Sequence, residues 1–171
     1  DSLLSRGGLL NMNYTCSLGI IAMVYGGILE HLGFLEVCLE KMKFVSKSIG
    51  SLVCATVVSC ILFNIITASQ YMSIILGGRL FIGEFKKKDM LPQTLSRCLE
   101  DGGTVTSLIV PWNVDGAFAG ATLGVPVLGF LPFAVFNWVV PIVSITFGFL
   151  NKFQWKTGEI KSTKTYRDVV E

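Results

Sequence analysis

The chain has 171 residues, of which 51% are hydrophobic and 15% charged, and its net charge is +2. A typical soluble domain carries about 25% charged residues, so a soluble, disordered or collagen-like chain is excluded, and the weak net charge argues against a nucleic-acid binder. What remains is an all-α, polytopic membrane protein.

Residues 7–29 contain no Asp, Glu, Lys or Arg and lie between Arg6 and Glu30. A bilayer core of ~30 Å takes about 20 helical residues, so a first span is expected near 8–29. Its amides, Asn11 and Asn13, suit hydrogen bonds between helices. From 31 to 47, Leu32, Leu35, Leu39, Met42 and Val45 recur at helical spacing, with Glu36, Glu40, Lys43 and Lys47 on other faces. This reads as an amphipathic helix on the membrane surface, or as a solvated helix packed on the protein.

The second uncharged run, 48–78, lies between Lys47 and Arg79. One helix over it would be roughly 46 Å long, more than a single crossing needs. Asn64, Thr67, Ser69 and Gln70 follow its midpoint. The pattern suits a re-entrant hairpin over 48–78 with a polar tip, since non-helical backbone at membrane depth survives only when buried in protein or lining a cavity. One tilted span is the alternative. Charge asymmetry favours the hairpin, because it puts the basic residues of 41–47, of the loop 79–101 and of the tail 152–171 on one side, the cytoplasmic one. In the tail, Trp155 is an expected interfacial anchor.

The third run, 102–151, is interrupted only by Asp115. Pro111 cannot bond back to Ser107, so a broken helix is expected over 102–124. A turn at Gly124-Val125-Pro126 and a last span over 127–150 follow, with Asn137 placed for an interhelical hydrogen bond. Gly116, Gly120 and Gly124 form a row of small residues that reads as a seam pressed against a neighbouring helix. Glu100 and Asp101 sit where they would cap a helix starting at 102. Three and a half passes are few for a transporter, which predicts that the chain is the C-terminal part of a longer protein.

The five Cys are scattered, the only His is His31, and no nucleotide-binding or hydrolase motif occurs. Neither a zinc site, an enzyme nor a resident cofactor is therefore expected. Intramembrane acids are functional candidates by default, because a charge at mid-helix costs about 2.5–3.5 kcal/mol to insert. Two polar breaks, 64–70 and 111–115, would enclose an oxygen-rich pocket if they met. Its candidate ligands are Asn64, Thr67, Ser69, Gln70, Asp101, Thr104, Asn113 and Asp115, with Asn64, Ser69, Asn113 and Asp115 the set suited to Na⁺, a hard cation. A solvated helix junction is the plainer reading of Asp115, and a helix cap that of Asp101.

Several strings resemble the C-terminal part of NhaC-type sodium/proton antiporters: Gly8-Leu9-Leu10-Asn11-Met12-Asn13-Tyr14, Ala68-Ser69-Gln70-Tyr71-Met72, Leu95-Ser96-Arg97, residues 100–107 (EDGGTVTS) and Pro111-Trp112-Asn113. The resemblance runs from about residue 7 to 150. It implies the C-terminal repeat of an inverted-repeat transporter in a prokaryotic inner membrane, exchanging Na⁺ for protons. The missing N-terminal half would be a partner, and a homodimer is compatible with the chain. Val114-Asp115 departs from the family pattern, where an uncharged pair would follow Pro-Trp-Asn, and this moves some weight as proton carrier to Asp101. Exchange of an organic acid such as malate or lactate is the second reading, with helix N-termini at Ser69 and Asn113 holding the anion. A non-transporting membrane subunit is the third.

Overall fold

The computed structural model describes residues 8–33 and 48–152, and all regular structure among them is helical. Helix α1, Gly8–His31, covers the first uncharged run. Beyond Gly33, the expected surface helix 31–47 lies outside the described residues, as does the tail from 153, including Trp155.

Helix α2, Ile49–Thr67, opens on a reciprocal cap in which the Ser48 and Ser51 side chains each accept from the other's backbone N–H. The hydroxyls of Thr56, Ser59 and Thr67 donate to the carbonyls of Leu52, Ala55 and Phe63 at 2.8, 2.6 and 2.8 Å. Their donors are thereby satisfied inside an apolar helix. Among the described residues, α2 is the one helix long and apolar enough to cross a bilayer unbroken, with a mean hydropathy of 2.3.

The chain then turns within two residues. Ala68 adopts the left-handed conformation at φ 54°, Ser69 is extended, and α3 begins at Gln70. Helix α3, Gln70–Lys87, folds back on α2, and the Ser73 hydroxyl ties the arms by donating to the Cys60 carbonyl at 2.7 Å. The hairpin expected over 48–78 thus has a longer second arm. Leu80, Phe81 and Phe85 face the core while Arg79, Lys86 and Lys87 are exposed, so the arm stays amphipathic past the end of the uncharged run. The loop expected over 79–101 is correspondingly mostly helix.

The next helix starts at Pro92, ten residues before the sequence suggests. Helix α4, Pro92–Leu99, passes through a π-helical turn, Glu100–Thr104, into α5, Val105–Ser107. Glu100 and Asp101 therefore do not cap a helix start. Gly102 is required here by close approach, since a Cβ would lie 2.7 Å from the Val57 carbonyl oxygen of α2. After a break at 108–113 come α6, Val114–Leu123, and α7, Val127–Phe130. A 3-10 turn, Leu131–Phe133, leads into α8, Val135–Phe149. The chain bends by 80° between Val114–Leu123 and Val127–Phe133, at the expected turn, and the expected span 127–150 is itself two helical pieces, Val127–Phe133 and Val135–Phe149, parted at Ala134. Pro126 and Pro132 each remove a backbone donor at these interruptions.

Among the described residues, the glycine row approaches the chain's own turns most closely rather than a neighbouring helix. A Cβ on Gly116 would lie 2.3 Å from the Val110 carbonyl oxygen, one on Gly120 3.3 Å from that of Val125, and Gly124 has φ +69° with open space around it. These glycines fold α6 onto the two turns that flank it. The core lies among α2, α3 and α4, where Leu52, Val57, Phe81, Phe85, Leu95 and Cys98 are buried. Each large side chain among them contributes roughly 1.5–3 kcal/mol by burial. Helix α8 lies along α2, with Gly148 against Val53, and α1 meets α6 at Gly19 and Val114.

Gly116→Ala should lower stability by roughly 2 kcal/mol or more through overpacking. Gly83→Ala, with nothing within 4 Å of its Cβ, should be neutral or stabilising by up to about 1 kcal/mol. Thermal unfolding of the two variants in detergent checks the contrast.

Candidate functional site

The two breaks meet. At the hairpin tip the Gln70 Nε2 amide donates to Asp115 Oδ1 at 3.3 Å, and the Val114 N–H points at the Ala68 carbonyl at 3.4 Å. The Trp112 indole N–H donates to the Ile65 carbonyl at 2.7 Å. Helix α6 starts at this junction because Asn113 caps it, its Oδ1 accepting from the Asp115 N–H at 3.2 Å.

One turn deeper, Asn64 is fully buried. Its Nδ2 donates both to the Gly103 carbonyl and, at 3.0 Å, to Thr106 Oγ1, which in turn donates to the Gly102 carbonyl at 2.6 Å. Two acceptors fix the amide's orientation, so Oδ1 faces the other way. Among the described residues, that oxygen and Asp115 Oδ2 are buried acceptors with no donor, and Asn113 Nδ2 is a buried donor with no acceptor. Buried polar atoms are satisfied in the great majority of cases, so each of these atoms calls for a partner beyond the described residues.

Of the sequence candidates, Gln70, Asn113 and Asp115 are bonded to one another at the junction, while Asn64 belongs to the separate set with Gly103 and Thr106, one turn back along α2. Thr67 and Ser69 line the turn itself, where the Thr67 hydroxyl lies 3.3 Å from the Ser69 carbonyl and both residues are buried. The Ser69 side chain makes no cap bond. Asp101 stands elsewhere. On the π-turn it pairs with Arg97 Nε at 4.0 Å, and it lines a cavity against α8 with Ser144. Thr104 accepts the Ser107 hydroxyl at its backbone carbonyl, at 2.8 Å. Asn137 donates to the Val105 carbonyl, the expected bond between helices.

The family described as the Na⁺/H⁺ antiporter family matches residues 1–152. The chain belongs to that family. It is 40% identical over 150 residues to the Na⁺/H⁺ antiporter NhaC of Alkalihalophilus pseudofirmus, covering 88% of this chain and 32% of the relative. It is 41% identical over 150 residues to NhaC of Bacillus subtilis, again covering 88% of this chain and 33% of the relative. Identity to the malate-2H⁺/Na⁺-lactate antiporter of Bacillus subtilis is 32% over 166 residues, covering 96% of this chain and 36% of the relative. The chain thus spans about a third of the length of these curated relatives. No solved structure matches.

Within this family member, three site features escape a reading of residue types. Trp112 anchors the break through its indole N–H, although the side chain is 51% exposed. Thr106 is the acceptor that orients Asn64, whereas its type alone suggests only a bond within its own helix. The π-turn is signalled only by the Gly102-Gly103 pair. Replacing Asn64 by Leu removes a buried amide from two acceptors and should destabilise the protein by about 1–3 kcal/mol. Thr106→Val, which removes one of those acceptors, should lose less, as thermal melts of the two variants would record.

Proposed function

We propose that the full-length protein is a secondary active antiporter of the cell membrane, exchanging Na⁺ for protons, and that the junction of the two breaks is its cation site. The observation that carries this reading is the Gln70–Asp115 contact, which joins the hairpin tip to the broken helix; Asp115 Oδ2 there, and Asn64 Oδ1 one turn back along α2, are buried oxygens without a donor among the described residues. Family membership supports the transport class. In this reading α2 and α3 form a re-entrant hairpin, and the rest of the protein supplies the companion repeat. Lys86, Lys87 and Lys88, at the far end of α3 from the tip, face the cytoplasm.

The chemistry follows from the donor set. A hard cation is held by oxygen. Asp115 supplies the negative charge, and the turn at 67–69 and Asn64 supply neutral oxygens. Asn113 Oδ1 serves mainly as a helix cap and has one lone pair left for a ligand. Interrupted helices place such oxygens near mid-membrane, and rocking about the site exposes it to each side in turn. Entry of Na⁺ offsets the cost of holding the half-buried Asp115 charge away from water.

Organic-acid exchange is the second reading, favoured by the likeness to the malate/lactate antiporter. It fits the junction less well. An anion at the N-terminus of α6 would sit against the Asp115 carboxylate, and like charges at close range repel.

In everted vesicles containing the full-length protein, added Na⁺ should collapse an imposed proton gradient. Asp115→Asn should reduce that exchange at least about tenfold. Exchange unchanged in this variant would remove the junction as the cation site. Na⁺-driven uptake of labelled malate or lactate, with no proton movement in its absence, would favour the second reading.

A further inference from the structure

Asp101 has a setting unlike that of Asp115. It sits on the π-turn, with Arg97 Nε 4.0 Å from its Oδ2, and its side chain is 17% exposed. A cavity of about 420 Å³ opens beside it, walled by Val139, Val143 and Phe147 of α8. Ser144, also in that wall, is 4% exposed, and its hydroxyl faces the Asp101 carboxylate without a well-formed hydrogen bond among the described residues. The ionisable neighbours of Asp101 are Arg97, Cys98 and Glu100, all from its own helical stretch. Helix α8 presents apolar side chains and Ser144, α2 presents Val57 and Cys60 to the π-turn, and α3 presents Ser73 and Ile74.

This is a poor place for a metal cation. Such an ion takes about six oxygens, whereas among the side chains lining the cavity only Asp101 and Ser144 carry oxygen, and a guanidinium stands beside the carboxylate. A proton needs only one carboxylate oxygen and access to water. Resting on the reading of the junction as the Na⁺ site, we infer that Asp101 is a second and separate site, the one that takes up the proton, with Arg97 and Ser144 as its positioning residues.

The step is simple. A hydronium ion gives H⁺ to an Asp101 oxygen: its O–H bond breaks as the carboxyl O–H bond forms, a water molecule is left, and the charge facing Arg97 is cancelled. On release the carboxylate faces Arg97 again, and Ser144 can donate to it. The link to Na⁺ is on the other side of the same turn. Two residues along from Asp101, the Gly103 carbonyl accepts from Asn64 Nδ2. That bond sets where Asn64 Oδ1 points. A change in the Arg97–Asp101 pair that shifts the π-turn therefore moves an oxygen of the Na⁺ site without any direct contact between the two carboxylates.

The test measures Na⁺ binding to the purified full-length protein by calorimetry across a pH series, alongside exchange in proteoliposomes. The wild-type protein should bind Na⁺ more weakly as pH falls, by up to about tenfold per pH unit where the proton competes. Asp101→Asn should keep Na⁺ affinity within about threefold of the wild-type value at high pH, lose the pH dependence of binding, and lose exchange. Ser144→Ala should keep Na⁺ binding and shift the pH midpoint of exchange. Wild-type pH dependence in Asp101→Asn would overturn the proposal, and so would abolished Na⁺ binding in a variant that still melts normally. If Asp101→Asn does not fold, an unshifted pH midpoint in Ser144→Ala overturns it. Asp115→Asn, measured in parallel, separates the two readings. If it still binds Na⁺, the junction is wrong as the Na⁺ site, whatever Asp101 does.

Discussion

A helix interrupted in an apolar setting leaves backbone and side-chain polar groups that must find partners inside the protein, and this chain has two such interruptions. They answer each other. The Ala68 carbonyl faces the Val114 N–H, the Ile65 carbonyl takes the Trp112 indole, and Gln70 reaches Asp115. Most of the remaining architecture serves to bring residues 64–70 and 108–115 to one place. Asn64 pins the hairpin to the π-turn, and Asn113 starts the helix that carries Asp115. Among the described residues, the mutual pairing leaves over two buried acceptors, Asn64 Oδ1 and Asp115 Oδ2, and one buried donor, Asn113 Nδ2.

Close backbone approach makes that meeting sterically feasible. Gly102 lets the π-turn lie on the Val57 carbonyl, Gly116 lets α6 fold onto the Val110 carbonyl, and Gly148 seats α8 on Val53. The glycines are thus spent on turns and helix contacts around the junction. The core of α2, α3 and α4 is large and apolar, and it holds the hairpin as a unit against which the broken helix is set. The many exposed apolar side chains of α1, α6 and α8, such as Ile21, Leu123 and Phe136, are suited to lipid or to further protein.

Much of this was legible in the residues. Long uncharged stretches predict helices, and Asn64–Thr67–Ser69–Gln70 within an apolar run predicts a reversal. The chain duly turns at Ala68 and Ser69. Pro111 and Gly124-Val125-Pro126 mark the later breaks because missing donors and left-handed backbone leave a local signature. Helix limits were less legible. Charge defines where lipid must end, yet α3 runs on to Lys87 and α4 starts at Pro92, because an amphipathic helix tolerates charge on its outer face. The glycine row misleads for a related reason. Spacing by four says that something approaches closely, without saying whether it is a neighbouring helix or the chain's own turn. In one dimension Asp101 reads as a helix cap and Asp115 as a helix junction, and the fold puts Arg97 beside the first and Gln70 beside the second.

The central claim is that the two breaks act as one cation site through the Gln70–Asp115 bridge. The most direct test is a double-mutant cycle, in which Na⁺ affinity of the full-length protein is measured for Gln70→Ala, Asp115→Ala and the pair. The account predicts a coupling energy of about 1 kcal/mol or more. Single-mutant effects that add to within about 0.3–0.5 kcal/mol would show that the breaks bind independently and contradict it.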